Sequence, residues 1–262
     1  MTELHHQEES NKSRPKWGDQ WNTSDMLYLH WQGAERCIAE ALRTLPNSPC
    51  LVLGAGGGGD VERIQELLDF VVGIDISRSS FNMPGHHCLN LIQADAEILP
   101  FRNDCFGSVF CKSTLHHLPR PRVGLVEMER VMHRGGRLVL EEPGLLNPIG
   151  LIARKFFPTQ SHTPTERPFL LANLDRMVSK LFAVDKERSF YLFSVGLPVA
   201  YKYINLGMKL KLWTLVAIFR LDERLMQTVL RSLALQFVII CQKHGFHQSS
   251  IPPIRAERGG LA

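Results

Sequence analysis

The sequence predicts an α/β protein with a doubly wound, mostly parallel seven-stranded sheet, helices on both faces and a helical insertion near the C-terminus. Short apolar segments of strand length recur between residues 49 and 243. Amphipathic helical patterns separate the early segments, and strands that alternate with helices form parallel sheets covered on both faces. A glycine-rich turn after the first apolar segment is the third indication, because such turns join a strand to a helix in doubly wound folds.

The first predicted element is a helix that begins near Ser24 or Asp25. Either residue can cap it, and apolar residues recur at spacings of three or four as far as Leu42, before Pro46 ends the pattern. Residues 1–20 are polar and lack periodicity, so we expect a disordered tail there.

The core of the predicted domain, residues 48–143, alternates strands with helices. We expect strands at 49–54, 70–75, 88–95, 106–113 and 136–143, and helices at 60–69 and 121–135. Ligands of doubly wound sheets bind beyond the carboxyl ends of the strands. The residues that directly follow each strand are therefore the first candidates for a site.

Beyond Pro143 the alternation is less regular. A helix is predicted at 171–182, a strand at 187–195 and a closing strand at 235–243, although the last pattern could also end a helix and move the strand toward residue 250. The stretch at about 197–234 is rich in Leu, Lys and Arg and predicts the helical insertion. We expect a single domain over residues 21–243 and a C-terminal tail at 244–262.

Cysteine usage and charge restrict the compartment and the partners. The six cysteines form no CxxC pair and the N-terminus has no apolar signal segment, which favours the cytoplasm. Residues 1–144 carry 14 Lys+Arg and 19 Asp+Glu, whereas residues 145–262 carry 16 and 7. The basic C-terminal part could contact a membrane surface or a carrier protein, or could simply be a solvated face. Its longest uncharged apolar run, residues 212–219, is too short to span a bilayer.

The segment LVLGAGGGGD, residues 51–60, contains the spacing G-x-G-x-x-G at Gly54, Gly56 and Gly59. Glycines let the backbone turn tightly and approach a ligand closely. Asp75 ends the next predicted strand, where a carboxylate can accept hydrogen bonds from both ribose hydroxyls of an adenosine. These two features suit NAD(P) and S-adenosylmethionine equally, and an NAD(P)-dependent oxidoreductase is therefore one alternative.

Further motifs follow in order: QADAEILPF, FGSVFCKSTLHHLPRP and a Gly-Gly turn before the fifth strand. With the glycine loop and Asp75, they resemble the class I S-adenosylmethionine-dependent methyltransferases, in the group that reads DAExLPF and LHHL. The resemblance covers residues 48–143 and continues more weakly to 243. It implies a Rossmann-like fold, S-adenosylmethionine as cofactor, and methyl transfer to oxygen or carbon of a small acceptor, lipophilic or carrier-bound.

The resemblance implies nine cofactor-binding positions, all at the carboxyl ends of the first four strands: Gly54, Ala55, Gly56, Gly58, Asp75, Ile76, Asp95, Ala96 and Lys112. The glycine loop would meet the methionine part of the cofactor, and Lys112 would lie near it. Asp75 would bind the ribose, Ile76 would pack on the adenine, and Asp95 with the Ala96 backbone would bind the adenine amino group.

Two positions depart from the family's pattern. Val52 stands where the family often has an acid, which removes a polar anchor of the cofactor, and Gly107 stands where it has aspartate, a structural change at the start of a strand. These departures support a second alternative, a non-catalytic member of the fold that only binds the cofactor.

His116, His117 and Glu142 are the candidate catalytic residues. Histidine suits a general base near neutral pH, although the LHHL histidines could equally shape the pocket. Glu141 and Glu142 end the fifth strand, and side chains alternate along a strand, so only one of them should face the pocket. Glu166 in the lid-like segment 161–169 is a possible substrate contact.

We expect neither a metal nor a nucleic acid. His86, His87 and Cys88 lack the paired spacing of a zinc site, no N/D-P-P-Y/F/W tetrapeptide is present, and no RNA-binding module accompanies the basic residues.

Overall fold

A seven-stranded sheet forms the centre of the protein in the computed structural model, which describes residues 25–45, 47–78, 81, 90–156, 166–194 and 212–244. The strands are β1 (Cys50–Leu53), β2 (Val71–Asp75), β3 (Leu91–Gln93), β4 (Phe106–Lys112), β5 (Met132–Pro143), β6 (Phe182–Phe190) and β7 (Gln236–Lys243). Their order is β3-β2-β1-β4-β5-β7-β6, and β7 runs in the direction opposite to that of the other six strands. The predicted fold class is confirmed.

Helices cover both faces of this sheet. They are α1 (Asp25–Leu42), α2 (Gly59–Gln65), α3 (Pro121–Val131), α4 (Pro148–Phe156), α5 (Leu171–Val178) and α6 (Leu212–Leu225), with short 3-10 helices at Leu115–His117 and Val229–Leu233. Apolar side chains of α1 and α2 pack on one face, and those of α3 and α5 on the other. Both faces of the central strands are therefore buried, which explains their continuous apolar sequences.

The carboxyl ends of the strands define one edge of the sheet. Parallel strands β1 to β5 all end there, and the glycine-rich turn, the segment after β2 and the 3-10 helix after β4 lie along that edge. Because β5 and β6 are both antiparallel to β7, β6 also ends at this edge. The connection from β6 to β7 therefore starts and ends at the same edge as the glycine turn.

Two element boundaries differ from the sequence prediction. Helix α3 ends at Val131 rather than at residue 135, because β5 begins at Met132 and pairs there with Phe106 before a register shift. Strand β6 spans Phe182–Phe190 rather than 187–195, and the preceding helix α5 ends at Val178 rather than at 182. Phe182 is buried in the core, whereas the charged run that follows is tolerated because β6 is an edge strand.

Smaller differences concern the ends of other elements. Helix α2 stops at Gln65 instead of residue 69, and β3 is reduced to Leu91–Gln93. The closing strand β7 spans Gln236–Lys243, so these residues do not end a helix, and the alternative strand near residue 250 lies outside the described residues.

Several expectations fall wholly or partly outside the described residues: the tail at 1–20, residues 245–262 of the C-terminal tail, residues 197–211 of the insertion and the triplet at 86–88. Within the described ranges, α6 and the second 3-10 helix occupy the rest of the insertion. No helix in those ranges is both long and apolar enough to cross a membrane. The same ranges contain no group of three or more His, Cys, Asp or Glu side chains that could hold a metal ion.

Candidate active site

The glycine-rich turn between β1 and α2 is built from left-handed backbone conformations. Gly54, Gly56 and Gly58 have φ angles of 67°, 52° and 91°, values that residues with a Cβ rarely adopt. A Cβ on Gly54 would also lie 1.9 Å from Oγ1 of Thr114, in the segment after β4. The turn therefore needs its glycines for its own backbone geometry, and Gly54 also allows the segment after β4 to approach closely.

Asp75 closes β2 directly beside this turn. Its Oδ2 accepts a hydrogen bond from the backbone N of Gly56 at 2.8 Å, and its Oδ1 accepts one from Ser77 N at 2.8 Å. A carboxylate offers about four acceptor positions, so further hydroxyl donors can bind the same two oxygens. The predicted ribose acid and the predicted glycine loop are thus in direct contact.

The predicted adenine residues lie further along the same edge. Ile76 directly follows Asp75 and keeps an exposed apolar side chain. Oδ1 of the exposed Asp95 accepts from Glu97 N at 2.8 Å, and the following residue, Ala96, is buried. An exposed isoleucine after β2 and an exposed carboxylate after β3 are suitable groups for an apolar ring that carries an amino group.

Lys112 ends β4 on the face that α1 and α2 cover. Its Nζ lies 3.6 Å from Oδ1 of Asp60 and 3.6 Å from Oε2 of Glu141. Burial alone would lower the pKa of Lys112, but the charges of Glu141 and Asp60 outweigh burial and raise it. Lys112 is therefore a charged amine between two acids. The sequence analysis did not predict Asp60 as part of this site, although an acid in the first turn of the helix after the glycines could have indicated it.

Glu141 and Glu142 are adjacent on β5 and point to opposite faces of the sheet, as alternation requires. Glu141 is buried beside Lys112, and no hydrogen bond to either of its carboxylate oxygens is present among the described residues. Burial raises the pKa of Glu141, and the charge of Lys112 partly offsets this effect. Glu141 thus belongs to the Lys112 cluster and not to the opposite face.

Glu142 is fully buried and holds the segment that follows β4. Its Oε1 accepts from Thr114 N at 3.1 Å and from Leu115 N at 2.8 Å. Its Oε2 accepts from His116 N at 3.3 Å and lies 2.7 Å from His116 Nδ1. Because a carboxylate only accepts, Nδ1 carries the hydrogen, and Nε2 of the neutral ring is left as an acceptor.

Nε2 of His116 faces the segment that precedes α5. It lies 3.7 Å from Oε1 of Glu166, and the backbone N of Arg167 donates to the carbonyl of His116 at 3.1 Å. The ring of His117 packs against the ring of His116 with 4.1 Å between centroids. The three candidate catalytic residues and Glu166 are therefore brought together at the carboxyl ends of β4 and β5.

The two departures from the family's pattern have local explanations. A Cβ on Gly107 would lie 2.1 Å from the Cβ of Ser48, so β4 needs a glycine where it passes the segment that leads into β1. The Val52 side chain is buried in the apolar cluster under α1 and α2. The change at 107 is structural, whereas position 52 offers no polar group to a ligand.

These residues fit S-adenosylmethionine. The backbone of the glycine turn is free of side chains that would hold a ligand away, Asp75 can accept from two ribose hydroxyls, and Ile76 provides an apolar surface. The cofactor would therefore lie along the ends of β1, β2 and β3, with its methionine part nearest to β4.

The comparison with known families agrees with this geometry. Residues 51–140 match the family described as a methyltransferase domain. Together, the strand order and this match assign residues 51–140 to a class I S-adenosylmethionine-dependent methyltransferase domain and support S-adenosylmethionine as its cofactor. The match decides between the two cofactors that the glycine loop alone had left open.

Individual relatives are similar over part of the chain. A demethylmenaquinone methyltransferase of Corynebacterium urealyticum is 34% identical over 97 residues, which are 37% of this chain and 42% of that protein. The chain spans about half or less of the length of the first curated relatives it matches. This likeness therefore concerns less than half of the chain.

Solved structures show the same fold over most of the chain. A SAM-dependent methyltransferase from Archaeoglobus fulgidus superposes with a TM-score of 0.58 at 18% identity, covering 87% of this chain and 98% of that one. The N-methyltransferase NodS from Bradyrhizobium japonicum, solved in complex with S-adenosyl-L-homocysteine, superposes with a TM-score of 0.57 at 8% identity over 93% and 99% of the chains.

Proposed function

We propose that the protein transfers the methyl group of S-adenosylmethionine to an oxygen or carbon atom of a small hydroxylated organic acceptor, with His116 as the base. The observation that carries the proposal is the buried pair of Glu142 and His116, in which Nδ1 lies 2.7 Å from the carboxylate and Nε2 lies 3.7 Å from Glu166. The proposal keeps the cytoplasmic location expected from the sequence and involves no nucleic acid.

The bound cofactor supplies a methyl group that is already activated on a sulfonium. An acceptor hydroxyl is a poor nucleophile until it loses its proton, so the protein must orient the acceptor and remove that proton. In the proposed step, Nε2 of His116 takes the hydroxyl proton. The freed electron pair, on the oxygen or on a ring carbon conjugated with it, forms the new bond to the methyl carbon as the bond to sulfur breaks.

The two carboxylates beside His116 have different parts in this proposal. Glu142 accepts from the ring Nδ1 and from three backbone N–H groups, so it fixes the tautomer and the orientation of the ring and acts as a positioning residue. Glu166, 3.7 Å from Nε2, stabilises the positive charge that the ring acquires with the proton.

The acceptor class is supported by chemistry and by one relative. Demethylmenaquinone, which the name of the Corynebacterium urealyticum relative gives, is a quinone. Its reduced form is a ring with ionisable hydroxyls, of the kind that a histidine base would activate for either oxygen or carbon methylation. We therefore propose a quinol-like, lipophilic phenol as acceptor.

The test is methyl transfer from labelled S-adenosylmethionine to a panel of quinols and phenols by the full chain. His116→Gln should lower kcat by about a hundredfold or more, the range for loss of a general base. His133→Gln, an exposed histidine on β5, is the matched control and should have no effect. Binding of S-adenosylhomocysteine should be the same in both variants, which separates proton removal from cofactor binding.

Two results would contradict the proposal. Unchanged kcat in His116→Gln on an accepted substrate would show that another group removes the proton. Binding of S-adenosylhomocysteine without turnover on any acceptor would favour the non-catalytic alternative, for which the apolar Val52 is the supporting observation.

A further inference from the structure

Helix α4 presents an apolar stripe to solvent. Leu151, Ile152 and Phe156 are 46%, 55% and 62% exposed, and Lys155 is exposed beside them. Residues three or four positions apart are neighbours on a helix, so Ile152 lies beside Phe156 and Leu151 lies beside Lys155. A helix on the surface of a globular protein normally turns its apolar side to the core, and α4 does the reverse.

The orientation of α4 is fixed by contacts on its inner side. Gly150 packs so closely that a Cβ there would lie 3.0 Å from Cδ1 of Leu235. Arg154, one turn later, donates from Nη2 to the carbonyl of Leu145 at 3.2 Å. Asn147, just before the helix, is buried, and its two Nδ2 hydrogens are shared among three carbonyls: those of Tyr191, Leu192 and Leu233. The helix cannot roll over to bury its apolar stripe without losing these contacts.

The exposed apolar residues are concentrated here. Of the twelve exposed large apolar side chains in the described ranges, five lie between residues 146 and 170: Leu146, Leu151, Ile152, Phe156 and Leu170. The bridge between Gly144 and Phe169 brings the two ends of this stretch together. Scattered exposed apolar residues are ordinary, whereas a concentration of this kind marks an interaction surface.

The charge of the same surface is positive. Lys155 is the exposed basic residue of this helix, and residues 144–156 contain no acid. The Nζ of Lys155 lies 5.3 Å from the centre of the Phe156 ring, so the ammonium and the apolar stripe share one surface. An apolar helix side with a basic residue beside it and no acid is suited to the headgroup region of an anionic membrane.

The position of α4 gives this surface a role. The helix starts five residues after Pro143, the last residue of β5, so it lies near the edge that holds His116 and Glu142. The segment that pairs with Gly144 also binds the carbonyl of His116 through Arg167 N. A partner that covers α4 would therefore lie beside the candidate active site.

We propose that the outer side of α4 docks the protein on an anionic lipid surface, with Leu151, Ile152 and Phe156 inserted among the headgroups and Lys155 against lipid phosphates. The proposal rests on the exposed stripe and its charge, and does not depend on which acceptor is methylated. Docking in this orientation would give a lipophilic molecule a path from the bilayer to the site.

The test is co-sedimentation of the full chain with vesicles of phosphatidylcholine alone and of phosphatidylcholine mixed with phosphatidylglycerol. The native chain should sediment with the anionic vesicles, and added salt should weaken this binding. Phe156→Ser should lower the partition constant by about tenfold or more, because an inserted aromatic side chain contributes that much. Phe70→Ser is the matched control, since Phe70 is 69% exposed at the opposite edge and should not affect binding.

A second pair of variants tests the charge without changing the apolar stripe. Lys155→Gln should weaken binding to anionic vesicles, whereas Lys180→Gln, exposed after α5 at the other edge, should not. Absence of binding by the native chain, or equal loss in Phe156→Ser and Phe70→Ser, would overturn the proposal. So would a native dimer that Phe156→Ser converts to a monomer without any vesicle binding, since a second copy of the chain would then cover α4.

Discussion

Gly54 occupies a position where two separate requirements exclude a side chain. Its φ of 67° is unfavourable for residues with a Cβ, and the hydroxyl of Thr114 fills the space in which a Cβ would lie. Oγ1 of Thr114 in turn donates toward the carbonyls of Leu53 and Lys112 at 3.3 and 2.8 Å. The glycine that the sequence assigned to ligand approach therefore also lets the end of β4 pack against the end of β1.

We predict that Gly54→Ala lowers the free energy of unfolding by about 2 kcal/mol or more, because the left-handed backbone and the contact with Thr114 both oppose a methyl group. The matched control is Gly59→Ala. A Cβ at Gly59 would meet nothing within 4 Å, and its φ is not in the left-handed region, so this change should be neutral or slightly stabilising. Urea denaturation of both variants measures the difference, and similar losses would contradict the explanation.

Four of the five interior strands were predictable from sequence, the exception being the start of β5, whereas the edge strands β3 and β6 were predicted with the wrong bounds. β1, β2, β4 and β7 are apolar runs bordered by turn residues, and their predicted and observed ends agree within about two residues. β6 carries Asp185, Lys186, Glu187 and Arg188 in its middle, so its pattern does not stand out. The sheet order places β6 at the edge, where a strand can accept these charges. No local sequence pattern contains that order.

The same limit applies to the site. The rule that ligands bind at the carboxyl ends of parallel strands led to the glycine turn, Asp75, Asp95, His116 and Glu142. The pairings of Lys112 with Asp60 and of Glu142 with His116 could not be predicted, because they depend on the register between β4 and β5 and on the path of the chain after β4.

One buried carboxylate holds the connection between β6 and α6. Asp222 of α6 accepts hydrogen bonds from the backbone N of Leu192, Phe193 and Ser194 and from the Ser194 hydroxyl. Asp222→Ala should lower the free energy of unfolding by about 3 kcal/mol, because it leaves several buried donors without an acceptor.

Asp222→Asn keeps one carbonyl oxygen and should lose less than the alanine variant. Glu223→Ala, the exposed neighbour, is the matched control and should have little effect. Chemical denaturation gives the free energies, and hydrogen exchange at residues 192–194 shows whether the loss is local. Equal stability of Asp222→Ala and Glu223→Ala would contradict this account.

At the scale of the whole molecule, cofactor binding should be visible as global stabilisation. A ligand that binds only the folded state at a hundred times its dissociation constant adds about 2.7 kcal/mol to the free energy of unfolding. We predict that S-adenosylhomocysteine raises the melting temperature, whereas NAD and NADP do not.

Asp75→Ala should abolish this rise, because it removes the acceptor that faces the ribose and the bond to Gly56 N. Asp69→Ala, an exposed aspartate just before β2, is the matched control and should keep the full response. Thermal unfolding of the three proteins with each ligand is the measurement. A response to the dinucleotides alone would refute the assignment of the cofactor.

The antiparallel return of β7 has a consequence for how such proteins diversify. A strand that runs back begins where its predecessor stops, so the stretch from 191 to 235 enters and leaves the sheet at a single border. Insertions or deletions in that stretch need not shift any of the seven strands or disturb the bend around Gly54. The length of this connection can therefore change in evolution without moving the carboxyl ends of β1 to β5, where the candidate site lies.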